Sequence, residues 1–245
     1  AVLGTSNIFI SAFAGIATVG LYSNYLMVKK WIDSLVNTFF NGILAAIGNI
    51  NATNNKERMK EIFDTLYFIS AGSFIFCAVC LCELFNPFIS VWLGEEYLLP
   101  DSMRYVIVIN FYLSSMRQPV IVFKNATGCF WNDRYASVAE AIINIIASIV
   151  LGYNFGLIGV LLATTISTLT TVFFIEPIVI YSNILDTNPV QYFKKYFEYA
   201  IYLIITEGMV HFVLSNLSWS GIGGFLGKLS VCILLTVVMV LVFLG

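Results

Sequence analysis

The stretch LYSNYLMVKKWIDSLVNTFFNGILAAIGNI, residues Leu21–Ile50, decides the fold. It is longer than the roughly 20 residues that a helix needs to cross a bilayer, and apolar sequence precedes it. It nevertheless carries Lys29, Lys30 and Asp33 well inside. An ionisable side chain at that depth costs roughly 2.5–3.5 kcal/mol to insert, so we expect these groups to face water, a partner or a substrate.

Polar and small residues in this stretch recur at three- and four-residue steps, which places them on one side of a helix. Members of this polar face are Ser23, Lys30, Ser34, Asn37, Asn41 and Gly48. Large apolar residues such as Leu35, Phe39 and Ile43 cover much of the remaining circumference. The pattern predicts a helix with one side in lipid or protein and the other side on a polar cavity.

The composition indicates an all-α membrane protein. Of the 245 residues, 59% are hydrophobic and only 11% are charged, whereas a soluble domain carries about 25% charged residues. The mean hydropathy is +0.89. The formal net charge of −2 gives no field that would attract nucleic acid, and the chain has neither a basic patch with interleaved aromatics nor zinc-finger spacing.

Hydropathy predicts a polytopic transmembrane bundle of about eight helices. The predicted spans are approximately 1–15, 21–50, 66–92, 103–126, 136–154, 157–182, 196–215 and 226–245. The first is short for a span and the last stops within an apolar run. We therefore expect this chain to be a piece of a larger membrane protein.

Basic residues cluster in alternate connectors, and the positive-inside rule places those connectors in the cytoplasm. The residues concerned are Lys56, Arg58, Lys60, Lys124, Arg134, Lys194 and Lys195. The charged, amphipathic segment 56–66 is predicted to begin a helix on the cytoplasmic surface before the third span.

The fourth span repeats the polar pattern of the second and contains Pro119, which can kink a helix. Its polar side carries Asn110, Ser114, Arg117, Lys124 and Gly128. The guanidinium of Arg117 offers a planar fork of donors that matches phosphate oxygens. It could equally pair with a carboxylate such as Glu140 or Asp33 and hold helices together. The sequence leaves both alternatives open.

Other intramembrane carboxylates also admit two interpretations. Glu140 is followed by Asn144 and Ser148 at four-residue steps, so this side of the fifth span points inward. Glu140 suits proton or cation coupling if its cavity is partly dry, or it stabilises the start of its own helix. Glu207 and His211 are one helical turn apart and are placed to form a hydrogen-bonded pair or a proton relay.

The motifs of common enzymes are absent, since the chain has no G-x-S-x-G, no H-E-x-x-H and no P-loop. We do not expect an enzyme or a cofactor. Cys77 and Cys80 would share a helix face, but structural zinc sites usually need four nitrogen or sulfur ligands and His211 is the only histidine. We therefore expect no metal site.

Several segments, taken in order, resemble one family of transporters. They are VGLYSNYLMV at 19–28, AAIGNINA at 45–52, NPFISVWLGEEYLL at 86–99, NFYLSSMRQPVIVFKNATGCFWNDRY at 110–135 and EAIINIIASIVL at 140–151. They resemble the polysaccharide (O-antigen and capsule) repeat-unit flippases of the multidrug/oligosaccharidyl-lipid/polysaccharide exporter superfamily. The resemblance covers roughly 1–185, and the last two spans are similar to the family's variable C-terminal helices only in hydropathy.

This resemblance implies an architecture and an activity. Residues 1–185 would form the C-terminal lobe of a two-lobed transporter, with six helices of which the first is truncated, and 186–245 would add a helix pair. Such proteins move undecaprenyl-pyrophosphate-linked oligosaccharide across the bacterial cytoplasmic (inner) membrane by alternating access, for surface polysaccharide biosynthesis. The implied partners are that lipid-linked oligosaccharide, the lipid bilayer and other polysaccharide-assembly membrane proteins, with no nucleic acid.

The resemblance also implies roles for individual residues. The cations that would meet the pyrophosphate are Lys30, Arg117 and Lys124, and the residues that would bind sugar or line its path are Asn37, Asn41, Asn110 and Asn144. Asp33 and Glu140 are candidates to bind a coupling ion, and Asp33 is placed to neutralise Lys29.

Three alternatives remain beside the flippase. A cation-coupled multidrug exporter of the same superfamily should favour carboxylates in its cavity, whereas Lys30 and Arg117 favour anions. A membrane-embedded polysaccharide polymerase would be expected to carry a long outward loop with catalytic Arg or His, which this sequence lacks. A scaffold would not need phased charge on two membrane helices.

Overall fold

A computed structural model of the chain describes residues 9–13, 15–52, 55–129, 131, 134–216 and 221–244. Over these ranges the regular structure is helical and contains no strand. The α-helices are α1 (Ile16–Asn51), α2 (Lys56–Trp92), α3 (Asp101–Met116), α4 (Gln118–Thr127), α5 (Ala136–Phe155), α6 (Leu157–Thr170), α7 (Val172–Ile180), α8 (Val190–Ser215) and α9 (Gly221–Leu244). A 3₁₀ turn covers Glu95–Tyr97 and a π turn covers Tyr181–Leu185.

In the part of the chain that the structure describes, six helical segments are long and apolar enough to cross a membrane. They are Lys56–Trp92, Asp101–Thr127, Ala136–Phe155, Leu157–Leu185, Val190–Ser215 and Gly221–Phe243. By length and composition, the chain is therefore an all-α, multi-pass membrane protein. These segments match the last six of the eight predicted spans. The predicted span 1–15 lies largely outside the described residues.

The predicted span 21–50 forms one continuous helix, α1, but is not among those six. Its polar residues lower the hydropathy that a spanning helix needs. It still runs antiparallel along α2, since the rings of Tyr25 and Phe85 lie 5.2 Å apart and those of Phe40 and Phe74 lie 6.3 Å apart. Lys30 falls between these two contacts, beside the apolar length of a membrane-spanning helix.

Helix α2 lies at the centre of the bundle and packs against α1, α3, α8 and α9. The segment 56–66, predicted to begin a surface helix, is continuous with the predicted third span. Its start is fixed by a side-chain cap, because the Arg58 N–H donates to Asn55 Oδ1 at 2.9 Å. The boundary between the two predicted domains, at 185/186, falls between the π turn and α8. That division stays a prediction.

Two of the membrane-spanning segments are broken part-way. The first breaks at Arg117, and Pro119 follows in the opening turn of α4. The second breaks at Thr171, whose φ of −126° and ψ of −91° lie outside the helical region. Pro177 then removes a backbone donor within α7. Both breaks lie next to charged side chains described below.

Helices α5 and α6 form a tight hairpin that a single residue connects. Gly156 takes φ 60° and ψ −134°, a conformation that side chains disfavour. Three residues later, Gly159 lies against the backbone of α5. A Cβ atom at this position would come within 2.0 Å of the Leu151 carbonyl oxygen. The close approach of the two helices therefore depends on the absence of a side chain at 159.

We expect Gly159→Ala to destabilise the protein by at least about 1–3 kcal/mol, because its methyl group would overlap backbone that cannot move aside. Gly208→Ala on α8 is the matched control, since a Cβ there meets nothing within 4 Å. The control should be neutral or slightly stabilising. Thermal unfolding of the purified protein in detergent measures both, and equal unfolding temperatures would contradict the predicted close contact.

Candidate functional site

The polar face of α1 is open in this structure. Ser23, Lys30, Ser34, Asn37 and Asn41 are all exposed, whereas Gly48 is half-buried and approaches the Ala126 carbonyl oxygen. Helix α1 buries a neighbouring side, through residues that include Tyr25, Phe40 and Ile47, whereas Leu35 and Phe39 are exposed. The polar residues thus share one exposed face, as the spacing predicted, and this face has no covering helix among the described residues.

A cavity of about 130 Å³ lies beside this face, between α1, α3 and α6. Its polar lining consists of Tyr22, Lys29, Lys30, Asp33, Asn110, Ser114 and Thr164. Three of the predicted site residues, Lys30, Asp33 and Asn110, therefore meet at one cavity. Asn37 and Asn41 do not line it and lie further along the open face of α1.

The cavity carries one excess positive charge. Lys29 Nζ lies 2.7 Å from Asp33 Oδ2, which confirms the predicted neutralisation of Lys29 by Asp33. Lys29 also lies over the ring of Phe111, 5.8 Å from its centroid. Lys30 makes no hydrogen bond or ion pair with another described residue. Its ammonium is therefore the group in this cavity that is available to an anion.

Two asparagines, the half-buried Asn110 and the buried Asn144, hold helices together. Asn110 Nδ2 donates to the Leu161 carbonyl at 3.0 Å, and its Oδ1 accepts from the Thr165 hydroxyl at 2.8 Å, so Asn110 links α3 to α6. Asn144 is 1% exposed, and its Nδ2 lies 3.3 Å from the hydroxyls of both Thr164 and Ser167. It links α5 to α6 and does not line the cavity.

A second group of charges, the buried ion cluster, joins α4, α5 and α7 and consists of Arg117, Lys124, Glu140 and Glu176. Arg117 Nε and Nη2 donate to Glu176 Oε2 at 3.0 and 2.8 Å. Lys124 Nζ lies 2.9 Å from Glu176 Oε1. Arg117 Nη1 also lies 3.8 Å from Glu140 Oε1, which accepts a hydrogen bond from the Thr168 hydroxyl at 2.8 Å.

The buried ion cluster answers the question that the sequence left open for Arg117. Its partners are carboxylates, and Glu176 is the principal one, with Glu140 further away. Asp33 is not a partner, since it pairs with Lys29. Two cations face two carboxylates, and the Glu176 side chain is 3% exposed. In low-dielectric surroundings such pairing is what makes buried charge tolerable.

Glu176 was missed as a site residue by sequence reasoning. The signal was present, because Arg117 and Lys124 lie two helical turns apart, on one side of their segment, and both need an anion within reach. The sequence did not show which carboxylate this would be. Glu176 follows Arg117 by 59 residues, and the break at Thr171 and Pro177 governs the orientation of its helix.

Three other side chains could hold a metal ion. One ligand atom each from Glu83, Glu207 and His211 lie within 4.8 Å of one another. His211 Nδ1 is 2.9 Å from Glu83 Oε1, so its hydrogen-bond partner is Glu83 on α2 rather than Glu207, which the sequence had suggested. Arg104 contributes positive charge beside this group, since it lies within electrostatic range of Glu207.

Comparison with known proteins gives no relative. No family model matches the chain, and neither a curated protein nor a solved structure matches it. The fold and the two charged groups therefore define the class on their own. The chain is a polytopic helical membrane protein with a small cationic cavity next to a buried ion cluster.

We expect Glu176→Gln to destabilise the protein by about 3–5 kcal/mol, because it removes one partner of a buried charge pair and leaves Arg117 undercompensated. Glu95→Gln is the control, since Glu95 is exposed in the 3₁₀ turn and should change stability by no more than about 0.5 kcal/mol. The measurement is thermal unfolding in detergent. A Glu176→Gln protein as stable as the control would mean that the ion cluster does not hold α4 to α7.

Proposed function

We propose that the chain is part of a transporter that moves polyprenyl-pyrophosphate-linked oligosaccharide repeat units across the bacterial cytoplasmic membrane by alternating access. The observation that carries the proposal is Lys30. Among the described residues this cation has no ion-pair partner, and it lies on the open polar face of α1, next to a cavity and beside the apolar part of α2.

The energetics of α1 support an anionic, hydrophilic substrate. An unpaired ammonium within a membrane is costly, and the cost falls when the group faces water or an anion. A pyrophosphate supplies that anion, and charge-assisted hydrogen bonds from Lys to phosphate are among the strong ones. The amides of Asn37 and Asn41 extend the polar face and offer both donors and acceptors, which suits sugar hydroxyls.

The proposed binding residues differ in whether they are available to a substrate in this structure. Lys30 is the first contact that we assign to the pyrophosphate. Arg117 and Lys124 are already engaged by Glu176 in this conformation, so they reach a substrate anion only if that engagement changes. Asp33 and Glu140 remain proposed coupling-ion groups, although each is engaged here, by Lys29 and by Thr168 with Arg117 respectively.

Charge separates this proposal from its nearest alternative. A cation-coupled multidrug exporter binds cationic drugs, and the excess positive charge at Lys30 would repel them. The proposal requires no covalent chemistry from the protein. The polyprenyl tail stays in lipid while the charged and sugar portions cross through the polar face.

The test follows the movement of a fluorescent polyprenyl-pyrophosphate trisaccharide in liposomes that contain the complete purified transporter of which the chain is part, with a membrane-impermeant quencher outside. We expect Lys30→Ala to slow this movement by about tenfold or more, because a hydrogen bond to a charged group contributes roughly 1.5–3 kcal/mol. Lys30→Arg should retain much of it. Lys194→Ala, an exposed lysine on α8, is the matched control and should behave as the parent.

The controls make the outcome decisive. A parent protein that does not move the probe, but does move a fluorescent cationic dye, would replace the flippase with the drug exporter. Unchanged movement in Lys30→Ala at equal protein level would remove Lys30 from the substrate path. Movement of the probe that equals protein-free liposomes would contradict the proposal as a whole.

A further inference from the structure

Four buried tyrosine hydroxyls form the least expected polar feature of the core. Tyr67 on α2, Tyr112 on α3, and Tyr192 and Tyr196 on α8 are each at most 6% exposed. The hydroxyl oxygen of each is enclosed and makes no hydrogen bond of good geometry with a described residue, although the hydroxyls of Tyr67 and Tyr192 interact with each other. Buried hydroxyls are almost always paired in folded proteins, so four in one region that lack a well-formed hydrogen bond need a physical explanation.

The four residues are neighbours. The rings of Tyr67 and Tyr192 lie 4.9 Å apart, those of Tyr112 and Tyr196 lie 5.9 Å apart, and those of Tyr192 and Tyr196 lie 6.2 Å apart. Electrostatic interactions also link Tyr67 with each of the other three. We call this group the tyrosine cluster. Its three helices enclose a polar region inside an otherwise apolar core.

One end of the tyrosine cluster adjoins the buried ion cluster. Tyr192 lies within electrostatic range of both Arg117 and Glu176. The side of α7 that carries Glu176 also contacts the tyrosines, because Phe173 lies 4.8 Å from Tyr196 and Tyr181 lies 6.1 Å from Tyr192, centroid to centroid. Phe173 and Tyr181, which precede and follow Glu176 in the sequence, thus both contact the tyrosine cluster.

The other end approaches the surface. The rings of Tyr67 and Tyr199 lie 5.5 Å apart, and Tyr199 lies within electrostatic range of Asp64. Asp64 pairs with Lys195 at 3.0 Å, and about a third of each of these side chains is exposed. This pair lies at the end of the bundle where the basic connectors are predicted to face the cytoplasm. The tyrosine cluster therefore lies between the partly exposed Asp64–Lys195 ion pair and the buried ion cluster.

We propose that ordered water molecules join the four hydroxyls into a hydrogen-bonded path that carries protons between the Asp64 end and Glu176. Water fits the observation, since a buried water typically bonds to about three otherwise unsatisfied polar groups. A phenolic hydroxyl both donates and accepts, so each can receive a proton on one side and release one on the other.

The transfer balances without any electron movement. One proton enters from bulk water near Asp64, each oxygen along the path passes one proton to the next, and the Glu176 carboxylate becomes a neutral carboxyl. The groups that face Glu176 are Arg117 and Lys124, with Tyr192 close by and Glu140 reached through Arg117. The ion cluster thereby changes from zero net charge to one excess positive charge.

Protonation of Glu176 would link the proton path to the binding of an anion. With Glu176 neutral, Arg117 keeps only the more distant carboxylate of Glu140, and its guanidinium fork becomes available to an anion. The link from proton arrival to capture of a pyrophosphate rests on the proposed function. The path itself does not, since it depends on the tyrosine hydroxyls, the Asp64–Lys195 ion pair and the buried ion cluster alone.

The first experiment detects the water. Synchrotron radiolysis of the purified protein generates hydroxyl radicals from bound water, and mass spectrometry locates the oxidised side chains. Tyr67, Tyr192 and Tyr25 are equally buried, at 0% exposure, but the Tyr25 hydroxyl is partnered by protein, with Asn86 at 2.7 Å and the Leu99 N–H at 3.0 Å. We expect Tyr67 and Tyr192 to be oxidised several-fold faster than Tyr25. Tyrosines as unreactive as Tyr25 would overturn the proposal.

The second experiment measures proton movement in liposomes that contain the protein and an internal pH dye, after an external acid pulse. We expect Tyr192→Phe to slow acidification several-fold relative to the parent. The control Tyr153→Phe, whose ring is exposed on α5, should not. Unfolding temperatures confirm that both variants are folded, and equal acidification in all three proteins would overturn the proposed path. Acidification that depends on Tyr192, in a protein that does not move the lipid-linked probe, would uphold the path and contradict the flippase.

Discussion

One buried carboxylate governs the arrangement of half the bundle. Glu176 accepts hydrogen bonds from Arg117 and Lys124 at the same time, at 2.8–3.0 Å. A charge this far from water is tolerated only with a close partner, so α4 and α7 must stay in contact while Glu176 is ionised. The breaks at Arg117 and Thr171 orient the two helices for that contact, and the α1 cavity lies against the helices that precede them.

Local periodicity made much of this structure predictable. The helices that cross the membrane follow from apolar length alone, because few other structures satisfy their backbone in lipid. The exposed polar face of α1 follows from three- and four-residue spacing. The Lys29–Asp33 pair is a neighbour contact along one helix. Each of these features depends on residues within one or two turns of each other.

The rest depends on tertiary contacts that spacing does not encode. Arg117 meets Glu176 across 59 residues, and His211 meets Glu83 across 128 residues rather than the nearer Glu207. Asn144 was predicted to line a sugar path, but the approach of α6 buries it against two hydroxyls. Which polar groups face a cavity and which face each other is decided by the rotation of whole helices.

The single-residue connection between α5 and α6 also constrains how the protein is made. Gly156 leaves no loop that could let one helix reach the lipid and wait for the other. A connection this short favours entry of the two helices into the bilayer together, as a hairpin. Asn144 on α5 hydrogen-bonds to Thr164 and Ser167 on α6. These polar side chains of the hairpin are therefore paired with each other and not exposed to the hydrocarbon of the bilayer.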